Sequence, residues 1–268
     1  MILEETYDLL KSKYKNQIEN LTIIDVRIGV HLTALKLSDE TYGIASTISE
    51  DHSRNDRKNR DYDSFTPSKI KGQKVSDLFD TNKKLNIINT LKIAVLNAIS
   101  SKIILNGNYK IVENADPIDL IDLSTTKVIT IVGAFQSYIQ KISERQHKLY
   151  VLELDENSLI DSHKKYYVPA NEYNKVLPIS DIVIITGLTL VNNTIDGLLS
   201  SIKPGTQLIV TGPSSSLIPD ILFKKNVKII GATRITNTDL LFTIVSEAGA
   251  GFHLFKYCAQ KICIINEY

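Results

Sequence analysis

Apolar positions near the start of the chain are spaced first as in a helix and then as in a strand. Spacings of three and four residues predict an amphipathic helix; they are carried by Leu3, Tyr7, Leu10, Tyr14 and Ile18. Apolar and polar residues then alternate over 22–37, with Ile24, Ile28 and Val30 expected on one apolar face of a strand. A returning strand and a long helix over 82–105 are predicted next. The first part of the chain is therefore predicted to be a small α+β unit.

After residue 116, short apolar runs alternate with amphipathic stretches. Six runs are expected to form strands, namely 128–132, 149–154, 182–185, 208–210, 227–230 and 262–265. Strands that are apolar on both faces are typical of a buried parallel sheet. Their alternation with helices predicts a doubly wound, Rossmann-like α/β fold. A change in composition at Asp116-Pro117 places the domain boundary there, with an α+β domain at 1–115 and a Rossmann-like ligand-binding domain at 116–268.

A charged segment, 51–63, separates the predicted strands from the long helix. It contains acids and bases without any apolar period. We interpret it as a solvated loop, with a flap over a site as the alternative.

Composition and charge exclude several classes of protein. With 31 basic and 30 acidic residues the net charge is +1, which argues against a nucleic-acid partner. The opening residues are charged, unlike a secretory signal, and we find no apolar run of membrane-spanning length. We therefore expect a cytoplasmic protein without a membrane partner. Cys258 and Cys263 are five residues apart and form neither a zinc motif nor a favourable disulfide pair.

Polar and glycine residues follow the predicted strands, where open parallel sheets bind their ligands. The candidate ligand-binding residues are Gly133, Phe135, Asp155, Thr186, Gly187, Thr189, Asn192, Thr194, Gly212, Pro213 and Ser214. The turn after the first strand of the sheet has one glycine where a dinucleotide fingerprint has three, which argues against a classical NAD(P) site. Glu153 and Asp155 lie 20 and 22 residues beyond that glycine, where an acid can accept a ribose hydroxyl. Asp155 can equally be a helix cap.

Two further segments have both a chemical and a structural interpretation. The serine-rich turn at 212–216 precedes a predicted helix, so it can bind an anion or simply cap that helix. Glu247, before a glycine-rich segment, is a candidate metal ligand or acid/base group. The five histidines are scattered without a metal-binding spacing, and no catalytic triad is evident.

Four segments taken together resemble a known family. They are VGAFQSYIQKI (132–142), DIVIITGLTLVNNTIDGLL (181–199), VTGPSSSLIPDILF (210–223) and VSEAGAGFHLFKYCAQKICI (245–264). They resemble the domain-of-unknown-function family labelled "putative heavy-metal chelation". IIDVRIGVHLTALKL (23–37), TYGIAST (41–47) and LKIAVLNAIS (91–100) are similar to its companion domain. GAFQSYI departs from the family, which tends toward an aromatic residue followed by prolines.

The resemblance implies an enolase-N-terminal-like α+β domain packed on a Rossmann-like domain. It also implies a site in the cleft between them that binds a heavy metal or a metal-bearing cofactor, such as a tetrapyrrole or pterin-like compound. Two alternatives stay open at this point. One is an enzyme that uses a nucleoside-type cofactor such as S-adenosylmethionine, or acts on a small anionic substrate; the other is a structural protein that forms a homodimer.

Overall fold

The computed structural model describes residues 1–48 and 62–267. Within these ranges the N-terminal part is an α+β unit, as predicted. Its elements are α1 (Ile2–Ile18), β1 (Ile23–Ile28), β2 (Leu32–Leu37), β3 (Tyr42–Ser46), α2 (Val75–Asp80) and α3 (Asn86–Asn106). The three strands form an antiparallel sheet in the order β1-β2-β3. Residues 51–61 of the predicted charged loop lie outside the described residues.

The central part of the helix α3, residues 93–100, is buried on all of its sides. It packs on β2 and β3 and also contacts α1 and α2, which explains why its apolar residues are not confined to one stripe. Gly43 of β3 lies directly beneath it, because a Cβ atom there would be 1.9 Å from the Ala94 carbonyl oxygen. By length and composition α3 could cross a membrane, but 72% of its apolar window is buried inside this fold, as in the core helix of a folded domain.

The C-terminal part of the described chain is built on one eight-stranded sheet in the order β4-β11-β10-β9-β8-β5-β6-β7. The strands are β4 (Lys110–Glu113), β5 (Val128–Val132), β6 (Lys148–Glu153), β7 (Tyr167–Pro169), β8 (Ile182–Thr186), β9 (Gln207–Thr211), β10 (Val227–Ile235) and β11 (Ala259–Ile265). The run from β10 to β7 is parallel throughout. Counted along the chain, its order is that of a Rossmann sheet. The predicted fold class is confirmed.

Helices cover both faces of this sheet. They are α4 (Gln136–Ser143), α5 (Tyr173–Val176), α6 (Leu188–Val191), α7 (Ile195–Ser200), α8 (Asp220–Lys224), α9 (Thr238–Ser246) and α10 (Gly251–Tyr257). Alternate residues of the strands enter two different apolar clusters: Ile182 and Ile184 pack in the cluster with α4, whereas Val183 and Ile185 pack in the cluster that includes α3. The second cluster is continuous with the core of the N-terminal part.

Short elements were missed by sequence reasoning. β4 and β7 have four and three residues, too few to show an apolar period. β4 pairs with β11, so the large sheet begins before residue 116, while the domain boundary itself stays a prediction. α6 lies in the predicted polar loop after β8, and α10 begins at Gly251 in the predicted glycine-rich segment.

The prediction of one strand over 22–37 was wrong. The chain reverses between β1 and β2, where the Gly29 N–H donates to the Leu32 carbonyl at 2.8 Å. Of the residues expected on one apolar face, Ile24, Ile28 and Val30 are 43%, 43% and 65% exposed, whereas Leu32 and Ala34 of β2 are buried. β2 is buried on both faces because α3 and α9 both pack on it. The apolar residues of β2 therefore do not identify a single buried face of the strand.

Replacing Gly43 with alanine tests the contact between α3 and β3. We expect Gly43→Ala to destabilise the protein by about 1–3 kcal/mol, because the new methyl group must push α3 away from the sheet. Gly251→Ala is the control, since its Cβ meets no atom within 4 Å. Thermal unfolding should show a lower Tm for Gly43→Ala and no marked change for Gly251→Ala. Equal Tm values for the two variants would contradict this packing.

Candidate functional site

A cavity of about 600 Å³ opens at the carboxyl ends of β5, β6 and β8. We call it the ligand pocket. β5 and β8 are neighbours in the sheet, and the chain leaves them toward opposite edges. This is the topological switch point, where open α/β sheets bind their ligands. Among the predicted residues, the lining includes Gly133, Phe135, Thr186, Thr189, Asn192 and Thr194.

Gly133 allows the loops after β5 and β8 to approach each other closely. Its φ is +107°, and a Cβ atom would lie 3.1 Å from the Thr186 methyl carbon. Both the conformation and the contact favour glycine. Phe135 follows at the start of α4, stacks on Tyr138 with 5.2 Å between ring centroids and forms an apolar wall of the ligand pocket.

The loop after β8 uses part of its polar content to hold its own shape. The Thr189 hydroxyl donates to the Thr186 carbonyl at 2.7 Å. Asn192 Oδ1 accepts from the Thr194 hydroxyl at 2.7 Å and from its N–H at 3.2 Å. The Asn192 amide N–H groups have no partner among the described residues and are available to a ligand acceptor. Gly187 lies behind this loop, with its N–H donating to the Thr211 carbonyl.

The acid that enters the ligand pocket is Glu153, not Asp155. Glu153 is the last residue of β6 and lines the cavity together with Leu152 and Leu154. Asp155 is exposed and accepts the Asn157 N–H at 2.9 Å as the cap of a short turn. Asp155 therefore has the capping role that the sequence left open, and its predicted position among the ligand-binding residues is corrected, because it does not line the ligand pocket.

The serine-rich turn is a structural junction. The Ser46 N–H of β3 donates to Ser214 Oγ at 2.9 Å, and the Ser215 hydroxyl donates to the Gly212 and Gly231 carbonyls at 2.6 Å. Ser216 Oγ accepts the Thr233 N–H. All three serines are buried. Ser214 is fully buried and lines neither the ligand pocket nor the cavity beside Gly212 and Pro213, so its hydroxyl is not accessible to a ligand, which corrects the predicted ligand role of Ser214.

Glu247 lies apart from the other candidates. It is exposed at the end of α9 and does not line the ligand pocket. Among the described residues, no three His, Cys, Asp or Glu side chains are grouped so as to hold a metal ion. Burial raises the pKa of Cys258 and raises that of Cys263 to about 12, which disfavours in both residues the thiolate form that binds metals. The described donor set does not fit a metal coordinated by side chains alone.

Gly212 and Pro213 line a second cavity, of about 580 Å³, on the other side of Phe135. We call it the aromatic cavity, after Phe135, Tyr138, Phe252 and Phe255 in its walls. A third cavity, of about 300 Å³, lies between the N-terminal part and the large sheet. None of the predicted site residues lines this third cavity, so within the described structure those residues do not converge on a cleft between the two parts.

Comparisons with known proteins agree with this architecture. Residues 116–264 match the family described as "Putative heavy-metal chelation", and residues 11–100 match a second family of the same description. The chain belongs to this family. An uncharacterized protein of Methanocaldococcus jannaschii is 25% identical over 97% of this chain and 96% of its own length.

Two solved structures of family members share the fold over nearly the full length. The Pyrococcus horikoshii protein has a TM-score of 0.79 at 22% identity, covering 99% of this chain and 100% of its own. The Desulfitobacterium hafniense protein has a TM-score of 0.72 at 15% identity, covering 98% and 99%. Both are described as having unknown function. At these identities the likeness shows the fold alone.

Replacing Ser214 with alanine tests the structural role of the serine turn. We expect Ser214→Ala to cost about 1–3 kcal/mol, because the Ser46 N–H loses its buried acceptor. Ser200→Ala is the control, since that exposed hydroxyl only donates to a carbonyl of its own helix. Thermal unfolding with and without phosphate should give the same difference. A phosphate-dependent rise in Tm that Ser214→Ala abolishes would instead support an anion site.

Proposed function

We propose that this family member binds a small organic molecule of nucleoside type in the ligand pocket. The proposal is based on the charge of the ligand pocket: in the described structure, Glu153 is the only charged residue of its lining. A carboxylate at the end of the second strand of a Rossmann-like sheet can accept the paired hydroxyls of a ribose. With no cation in the lining to neutralise a phosphate, the expected ligand is neutral or positively charged.

The remaining walls suit a molecule with one flat apolar face and one polar edge. Leu154 is 79% exposed at the rim, and Phe135 and Leu188 add apolar surface. Asn171, Asn192 and Asn193 add amide groups. An aromatic base covered by leucine and phenylalanine, with its heteroatoms bonded to amides, satisfies both kinds of wall. The single glycine of the first turn is a further argument against a dinucleotide.

The family description suggests metal binding as a second candidate function. Since the described residues do not group three metal-binding side chains, a metal would have to be carried by an organic ligand. The Thr186 hydroxyl and the Asn192 amide N–H groups suit the periphery of such a compound. As the second candidate function, we therefore propose that the ligand pocket binds a metal-bearing cofactor. Homodimer formation and a cytoplasmic location stay predictions.

Isothermal titration calorimetry with adenosine, 2′-deoxyadenosine and S-adenosylhomocysteine tests the nucleoside proposal. Wild-type protein should bind adenosine more tightly than 2′-deoxyadenosine. Glu153→Gln should weaken adenosine binding about tenfold or more, because a hydrogen bond to a charged acceptor contributes about 1.5–3 kcal/mol. It should also reduce the preference for adenosine over 2′-deoxyadenosine, since the 2′-hydroxyl would then donate to a neutral amide oxygen instead of a carboxylate.

Asp155→Asn is the matched control, with the same loss of charge two residues away and outside the pocket lining. We expect its affinities to stay within about twofold of wild type. Binding of none of the three compounds by wild-type protein would overturn the nucleoside proposal. Equal losses in Glu153→Gln and Asp155→Asn would show that the carboxylate of the pocket is not the ribose acceptor.

A further inference from the structure

The aromatic cavity has the opposite charge character to the ligand pocket. The described residues in its lining include Lys256, Lys261 and Asp116 as the charged groups, which leaves an excess of one positive charge. Its walls are aromatic rings together with Pro117 and Pro213. The two cavities meet only at Phe135. A neutral or cationic ligand suits one of them, and an anionic ligand suits the other.

Asp116 fixes the position of one of the lysines. Its Oδ2 accepts from Lys261 Nζ at 2.5 Å, and its Oδ1 accepts from the buried Tyr138 hydroxyl. Both carboxylate oxygens are thus engaged by the protein. A lysine ammonium has three N–H donors, so the bond to Asp116 leaves two for other acceptors. The Lys261 ammonium also lies 5.2 Å from the centroid of the Phe255 ring, which orients it along the aromatic wall.

Two other donors in the lining have no hydrogen-bond acceptor among the described residues. Lys256 lies over the rings of Phe252 and Tyr257, at 5.6 and 5.1 Å from their centroids, and has no carboxylate partner among the described residues. The Thr211 side chain is only 7% exposed, and its hydroxyl makes no hydrogen bond within the described part of the chain. The Thr211 hydroxyl oxygen is not among the fully enclosed polar atoms that lack a partner, so it is accessible from the cavity that Thr211 lines and can donate to an acceptor there.

The shape and chemistry of this cavity define a ligand class. We propose that the aromatic cavity binds a small, flat organic anion of the aromatic carboxylate or sulfonate class. Its ring would pack on Phe252 and Phe255, and its anionic oxygens would accept from Lys261, Lys256 and Thr211. A volume of about 580 Å³ accommodates a two- or three-ring molecule but not a polymer. This proposal is independent of the nucleoside proposal, because the two cavities differ in charge and have only Phe135 as a common lining residue.

Fluorescence titration with 8-anilinonaphthalene-1-sulfonate tests this site, and N-phenyl-1-naphthylamine is the neutral probe of the same ring system. Wild-type protein should bind the sulfonate about tenfold more tightly than the neutral amine, because charge-assisted hydrogen bonds add to the same apolar contact. The advantage should decrease at high salt. Equal affinities for the two probes would overturn the proposal.

Three variants test whether the probe binds in the aromatic cavity. Lys256→Met should reduce sulfonate binding about fivefold and leave the neutral probe unchanged, whereas Lys224→Met, on an exposed part of α8, should change neither. Phe252→Ser should weaken both probes, since its ring is 70% exposed and can be removed without disturbing the core. Unchanged sulfonate binding in Lys256→Met would also overturn the proposal.

Glu153→Gln separates this site from the ligand pocket. If the sulfonate bound in the ligand pocket, loss of the Glu153 charge would remove a repulsion and raise its affinity. We expect no change, because Glu153 does not line the aromatic cavity. A rise in sulfonate affinity in Glu153→Gln would assign the probe to the wrong cavity and contradict the inference. Loss of adenosine binding in the same variant would bear only on the nucleoside proposal.

Discussion

The packing of α3 between the two parts of the molecule holds the N-terminal sheet and the large sheet in their positions. On one side Gly43 lets the helix lie against the backbone of β3. From the helix, the Asn97 amide donates to the Ile44 carbonyl at 2.7 Å and to the Pro213 carbonyl at 3.2 Å. One side chain therefore ties β3 to the turn after β9. The buried Ser214–Ser46 bond repeats that connection, so the turn that borders the aromatic cavity is held by the N-terminal part.

Two cavities of opposite charge lie at one edge of the sheet that this packing supports. Glu153 makes the ligand pocket negative, whereas Lys256 and Lys261 outnumber Asp116 in the aromatic cavity. Phe135 forms a wall of both. The chemistry proposed for each follows from this separation: a hydroxyl-bearing, uncharged or cationic molecule on one side, and a flat anion on the other.

Local patterns in the sequence were sufficient to predict the strands of the large sheet but not the hydrogen-bond partners of individual side chains. Apolar runs located six strands of the Rossmann-like part, because strands that are buried on both faces are apolar along their whole length. Glu153 and Asp155 look alike in the sequence, and only the point where β6 ends decides which one enters the pocket. The serine turn was misread because the partner of Ser214 is 168 residues away. The Lys261–Asp116 pair spans 145 residues and left no local signal.

We propose that this protein holds an organic molecule rather than a metal ion coordinated by its own side chains. Native mass spectrometry of protein purified without chelators, with elemental analysis of the same sample, distinguishes these two possibilities. We expect an organic mass adduct, with any metal present in no more than the molar amount of that adduct. A stoichiometric metal ion that remains bound to protein without an organic adduct would overturn the proposal.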